Sequence, residues 1–600
     1  MPELGVVQEI PRVVGKWPGN IDLLLHMLRA GKTSYIQQVY LALFEEYQCT
    51  TLNTRILWMD QIITMDSQHM KFILATGFEH FWRGKAQKER FAKFVGNGIF
   101  NRDDEMWKMH RSMARPFFAW DRISDFEQFE KYSAHAMSIL TSFAESGRPC
   151  DIQDLHTRFS LDSSAEFLLG QELNTLSAAL PSAGAESFGA KGSETHDKWG
   201  EFVRAFDLCQ DISTRRAKIG KIWPLFELFD DTMEKPAKTI KDGLEPLVEA
   251  ALKDKTDSKQ GRKEDSMEQK TFLQHLAEST EDVGLIRDQL LSIIIASRDT
   301  TACLLSFVVY FLAMHPEIME RLRAEVLDVC GSTGTPDADS IREMRYSTRS
   351  ASVLTESVHN TYIVTVAVRA VVNETLRIFP AVPLNVRESR AASCVFPAGD
   401  PTFANATPLY VPGGTPLMYF PLLMQRNPTL WGPDAERFDP ERWLDPQRLA
   451  RYTANPLMFQ PFSAGPRIVS TLSAVAAFWQ FCIPADVPLG LLQCIGQNYA
   501  YNQASFFLVR LVQRFDGVRL APDAQPRESL PPAEWKTGRG RQCVEQIWPA
   551  AAMTLFVKVG LIIMVKLGYS IKHNHSREDC GFVSPRRKRE IVSRALASSV

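Results

Sequence analysis

Apolar residues recur at three- and four-residue spacing through most of the first half of the chain, with short Gly/Pro breaks between the runs. That is the pattern of successive amphipathic helices; "NIDLLLHMLRAG" from Asn20 and "EFVRAFDLCQDIS" from Glu201 are examples. One run differs. "VGLIRDQLLSIIIASRDTTACLLSFVVYFLAMHP", from Val283 to Pro316, is apolar on nearly every face and predicts a core helix of roughly 30 residues. A small β-rich portion is expected around residues 383–420, so the fold class is mainly α (α+β). Two polar tracts, "LPSAGAESFGAKGSETHDK" and "KDKTDSKQGRKEDSMEQK", read as connecting loops, and no internal repeat is evident.

Near the end, "AAAMTLFVKVGLIIMVKLGY" is broken by Lys558 and Lys566. It falls short of the roughly 20 clean apolar residues that span a bilayer, so at most it lies on a membrane surface. The opening "MPELGVVQEIPRVVGKWPGN" is polar and proline-punctuated, and reads as neither signal peptide nor anchor.

Composition narrows the possibilities. With 600 residues, 45% of them hydrophobic and 23% charged, the chain can bury a large core without disulfide staples. The 68 basic residues nearly balance the 70 acidic ones, which gives no electrostatic reason to propose a nucleic-acid partner. Ten cysteines are scattered with no CxxC pair, so zinc and dithiol chemistry are disfavoured. A metal-binding cysteine would act alone.

Three stretches carry candidate chemistry. In the middle of the core helix, "SRDTT" follows three isoleucines. It is either a helix bend, with Thr300 or Thr301 bonding back to a carbonyl, or a site of proton handling in a closed pocket. "NETLRIFPAVP" places Glu374 and Arg377 at i, i+3 on one helix face, and Arg442 in the proline-fixed "LWGPDAERFDPERW" could complete a buried lock. Finally, "PFSAGPRI" is a Gly/Pro-shaped loop and "CIGQNYA" puts Cys494 at a helix start, where free backbone N–H groups favour a thiolate. A thiolate on haem iron pushes electron density toward dioxygen and favours O–O cleavage.

Together these motifs resemble those of the cytochrome P450 family, haem-thiolate monooxygenases, from about residue 11 to about 557. Asp299 and Thr300 match the family's acid–threonine pair, Glu374 and Arg377 its Glu-x-x-Arg, and Pro440-Glu441-Arg442 its arginine loop. Phe462, Gly465, Arg467, Cys494 and Gly496 match the haem loop, and Trp107 with Arg111 the early Trp-x-x-x-Arg. The resemblance implies Cys494 as axial iron ligand and Asp299 and Thr300 as proton relay. It implies Trp107, Arg111 and Arg467 as propionate contacts and Glu374, Arg377 and Arg442 as a structural lock. More narrowly, the chain is similar to fungal microsomal members that hydroxylate alkanes and fatty acids. That likeness implies dioxygen as co-substrate, electrons from an NADPH-dependent reductase, and the cytosolic face of the endoplasmic reticulum membrane. "PRVVGKWPGN" resembles the segment that follows an anchor in such relatives, which implies an anchor encoded upstream.

The chain departs from the family pattern in places. Ser297 stands where the family prefers glycine. Residues 469–493 separate Arg467 from Cys494, whereas the family spaces the arginine and cysteine two apart. Cys482 lies inside this insert but lacks the following glycine and helix start, so Cys494 is the better ligand. Residues 347–368 interrupt a second region with no helical period. Both inserts read as translated introns. Val469-Ser470 and Ser347 can encode splice donors, and Gln493 and Ala367-Val368 acceptors. The tail of residues 558–600, with a third donor codon possible at Val559, is expected to lie outside the fold. A genuine inserted loop is the alternative; it would expose Phe478 and Trp479 and loosen the haem loop. Rival functions are a haem-free relic or apolar-ligand binder, and a haem-thiolate isomerase or dehydratase.

Overall fold

The long apolar run folds as one helix, Val283–Met314. Asp282 caps it, its side chain accepting a hydrogen bond from the Leu285 N–H at 3.0 Å. Pro316 then opens the next helix, Pro316–Cys330, at the position where a missing N–H costs nothing. The computed structural model describes residues 7–118, 126–178, 180, 198–258, 270–334, 356–400, 407–465, 494 and 496–568. Chain order gives the helices used below: α1 (Lys85–Val95), α2 (Asp104–Ala114), α3 (Ile152–Leu169), α4 (Lys198–Ile219), α5 (Val283–Met314), α6 (Pro316–Cys330), α7 (Glu356–Ile378) and α8 (Gln497–Arg514).

α5 is long and apolar enough to cross a membrane, yet 78% of its most apolar window is buried inside the protein. Its hydrophobic faces are spent on neighbours: α3 packs along it, tied by Ser160 Oγ donating to the Arg298 carbonyl at 2.8 Å. Phe307 stacks on Phe379 at 4.3 Å and Phe311 on Phe438 at 4.0 Å, which joins α5 to the end of α7 and the loop beyond it.

The strands are short, as a mainly α fold with a small β portion predicts. A five-stranded sheet has the order Thr51–Asn53, Ile62–Thr64, Pro416–Tyr419, Asn385–Ser389, Phe81–Trp82. Two of these strands, and two of the separate sheet Gln8–Glu9, Leu409–Val411, Cys394–Phe396, come from the expected β-rich segment.

One boundary expected from sequence needs correction. The tail does not leave the fold at residue 558. Ile562–Leu567 is the middle strand of a sheet, antiparallel to both Phe515–Leu520 and Cys150–Asp151. Burial explains it: Ile562, Ile563 and Val565 are buried, while Lys566 is exposed. The backbone leading in is held as well, the Leu561 N–H donating to Asp151 Oδ1 at 3.1 Å. The later part of the insert expected at 347–368 is helical rather than aperiodic. Residues 356–368 belong to α7, and Val368 is in the core. Once the following turns are anchored by packing, extending a helix costs little, so weak periodicity does not stop it. Residues 347–355, the insert 469–493 with Cys482, and the tail from 569 lie outside the described residues.

Candidate functional site

A cavity of about 1380 Å³ runs through the helical part, and α5 and the start of α8 both face it. Cys494, Gly496 and Phe462 line it from one group of segments, Ala296, Asp299 and Thr300 from α5. The volume exceeds the ~300–1,000 Å³ of ordinary ligand pockets, enough for a prosthetic group and a substrate together. Cys494 is enclosed by protein yet open on its surface, because it opens onto this cavity. Burial raises its thiol pKa above the ordinary value. The N–H groups of Gly496 and Gln497 and the charge of Arg111 oppose that shift. The start of α8 therefore does supply the backbone donors that favour a thiolate, but desolvation outweighs them while no cation is present.

α2 brings Trp107 to the cavity wall and stacks the Arg111 guanidinium over its ring at 5.2 Å. Burial lowers the Arg111 pKa to about 10, with Arg115 adding to the effect and Cys494 opposing it. Gly465 works differently from Phe462. Its φ of +86° is left-handed, and a Cβ there would sit 1.5 Å from the Leu74 carbonyl oxygen. Glycine is thus required by loop shape and close backbone approach. Arg467 lies outside the described residues. The donor set fits a haem: one soft thiol on a roomy cavity, an apolar and aromatic wall, and a nearby half-buried arginine suited to a carboxylate.

On α5, Thr300 Oγ1 donates to the Ala296 carbonyl at 2.6 Å and Ser297 Oγ to the Ile294 carbonyl at 3.3 Å. The back-bonding reading of the threonine therefore holds, and it leaves the Thr300 oxygen on the cavity wall as an acceptor. Asp299 is held from two sides: Gln210 Nε2 on α4 donates to Oδ2 at 2.7 Å, and Arg298 lies 3.7 Å from Oδ1. Arg298 is itself buried against Asp207 at 2.5 Å, and these carboxylates raise its pKa against the effect of burial. Sequence reasoning missed Gln210. Nothing local marks it, because its partner is 89 positions away.

Glu374, Arg377 and Arg442 meet in the interior, at 0%, 0% and 4% exposure. Arg377 grips Glu374 with Nε and Nη2, each at 2.8 Å, and Arg442 Nε adds a contact at 3.4 Å. Arg377 also donates to the Gln425 and Arg437 carbonyls, and Arg442 to the Trp431 and Asp434 carbonyls and to the Asp434 carboxylate at 3.1 Å. Trp443 Nε1, bonded to Glu374 at 3.0 Å, was also missed; its place directly after Arg442 was the available signal. The lock stands on the loops after α7 and fixes them against the core.

A mainly helical fold with a cysteine opening a helix onto a large cavity, faced by an acid–threonine turn, fits a haem-thiolate class of protein. The family model described as Cytochrome P450 matches residues 16–352 and 366–468. It omits a segment inside the first interruption and stops beside the second. "Cytochrome P450 52E2" of Candida apicola is 29% identical over 516 residues, 86% of each chain. "Cytochrome P450 monooxygenase pvhE" of Talaromyces variabilis is 30% identical over 488 residues, 78% of this chain and 76% of its own. "Cytochrome P450 monooxygenase himC" of Aspergillus japonicus is 30% identical over 507 residues, 83% of this chain and 77% of its own. The chain belongs to the cytochrome P450 family, and its chemistry is haem-dependent monooxygenation of a hydrophobic substrate.

Proposed function

We propose that this chain hydroxylates alkyl chains of the alkane or fatty-acid type, with Cys494 holding haem iron and an NADPH-dependent reductase supplying electrons from the cytosolic face of the endoplasmic reticulum. The observation that carries the reading is the shared cavity, onto which Cys494, Thr300 and Asp299 all open. When bound, the haem supplies activation of dioxygen, the co-substrate, and insertion of one of its atoms into a C–H bond. The chain's own residues do the rest. Asp299 carries protons inward from its Oδ atoms, and Thr300 Oγ1 accepts and passes them on at the cavity wall. Trp107 and Arg111 would hold haem propionates, the role the family motif also gives Arg467; Phe462 and Gly496 would contact the haem, and Gly465 shapes the loop. Glu374, Arg377 and Arg442 keep that loop region in register. The apolar wall, with Ile293, Ile295 and Leu304 of α5, excludes water and orients an alkyl chain.

The interruptions at 347–368 and 469–493 and the tail from 569 are best read as unspliced sequence; that the family match skips 353–365 and ends at 468 supports this for the first two. The test is spectroscopic. Reduced protein with carbon monoxide should give the red-shifted Soret band of thiolate-ligated haem. Cys494→Ser should lose that band and Cys482→Ser should keep it. No haem uptake by the full chain would support a haem-free relic. Turnover independent of NADPH and reductase would favour an isomerase or dehydratase.

A further inference from the structure

The cavity onto which Cys494 opens is also lined by α1, through Gln87, Arg90, Phe91 and Val95. Arg90 is half-buried there, its Nε is sealed from solvent without a hydrogen-bond partner, and among the described residues its guanidinium makes no hydrogen bond or ion pair. Burial pulls its pKa below the ordinary arginine value, and only Glu388 and Glu89 oppose that shift, from beyond ion-pair range. Both carboxylates have nearer donors: Glu388 accepts from Trp82 Nε1 at 3.2 Å, and Glu89 sits 3.9 Å from Lys85.

Other cations on the same wall are engaged or face solvent. Arg387 donates to the Val386 carbonyl at 2.8 Å, Lys558 lies 3.9 Å over the Trp548 ring, and Lys218 and Lys221 are exposed. A guanidinium partly withdrawn from water without a counter-charge is unfavourable until an anion reaches it. The surrounding wall is apolar and aromatic, so the anion that fits is one carried on an apolar chain.

We propose that Arg90 anchors the carboxylate of a fatty-acid substrate, with the alkyl chain lying along the cavity that Cys494 and Thr300 face. This deepens the alkyl-hydroxylation reading above and rests on it: it selects the acid over the alkane. A planar fork matched to a carboxylate would fix the chain's register, and so which carbon is presented for oxidation.

Calorimetric titration of the haem-loaded full chain at pH 8 with dodecanoic acid, methyl dodecanoate and dodecane tests it. Arg90→Gln should weaken the acid by about ten- to a hundredfold, the loss of a charge-assisted hydrogen-bonded pair, and leave the ester unchanged. Arg90→Lys should retain most of the acid preference, and ester binding reports that each variant is folded. Equal losses for acid and ester, or no loss for the acid, would overturn the anchor. Wild type binding ester and dodecane as tightly as the acid overturns the anchor alone. Wild type binding none of the three overturns the alkyl-substrate reading and the anchor with it.

Discussion

Glu374 accepts five hydrogen bonds on two oxygens, from Arg377 Nε and Nη2, Arg442 Nε, Trp443 Nε1 and the Asp439 N–H. Removing the carboxylate strands the buried Arg377 guanidinium, while Arg442 keeps Asp434 at 3.1 Å, so Glu374→Ala should cost about 3–5 kcal/mol, read as a lowered thermal midpoint. His156 is a second buried residue with a measurable signature. Its Nδ1 meets Ser306 Oγ at 3.1 Å, its Nε2 is sealed without a partner among the described residues, and burial lowers its pKa to about 3. The unfolded chain binds that proton near pH 6.5 and the folded chain does not, so stability is full above about 6.5 and falls as pH drops toward 3. Between pH 6.5 and 5 the loss should be ~2 kcal/mol, seen as a falling denaturation midpoint and reduced in His156→Asn. At this scale the i, i+3 pair Glu374 and Arg377 was legible in the sequence. Gln210 was not, because its bond to Asp299 exists only where two distant helices cross.

Among elements, α5 illustrates how pattern and context divide the work. Its length and all-round apolar character predicted a core helix, and it is one. Its hydropathy alone is also that of a membrane span; only the packing of α3 and the aromatic stacks decides between them. The last strand shows the opposite case. Ile562–Leu567 reads as an apolar run broken by lysine, and its role follows from pairing with residues about 50 and 400 positions earlier. Truncation after Leu567 should leave the thermal midpoint unchanged, whereas truncation after Val557 should abolish a cooperative transition. Circular dichroism of the two shortened chains distinguishes these outcomes.

For the whole molecule, the haem loop is the point of tension. Phe462 and Cys494 line one cavity although residues 469–493 lie between their segments in sequence. Loop closure itself is cheap, about 0.6 kcal/mol per doubling of length, so the interruption need not prevent folding. Ligand geometry is stricter: sub-ångström slack in a metal site lowers occupancy. Deleting 469–493 should therefore raise haem content and the thiolate–carbon monoxide band relative to the full chain. Equal loading would show that the segment is tolerated as a loop. The family match, which ends at residue 468, marks the same break.

Sequence alone determined the family, because its motifs rest on local chemistry: an i, i+3 ion pair, a proline-fixed arginine, and a cysteine opening a helix. It also determined the main helical architecture, since amphipathic periodicity is written in adjacent residues. Tertiary structure alone decided which polar groups are satisfied and which are left open. Asp299 acquired Gln210 from another helix, Glu374 acquired Trp443, and the last strand acquired its sheet. Arg90 acquired no partner among the described residues. Burial and pairing are properties of the packed chain, and desolvation turns an ordinary side chain into a costly or useful one only after the chain has folded around it.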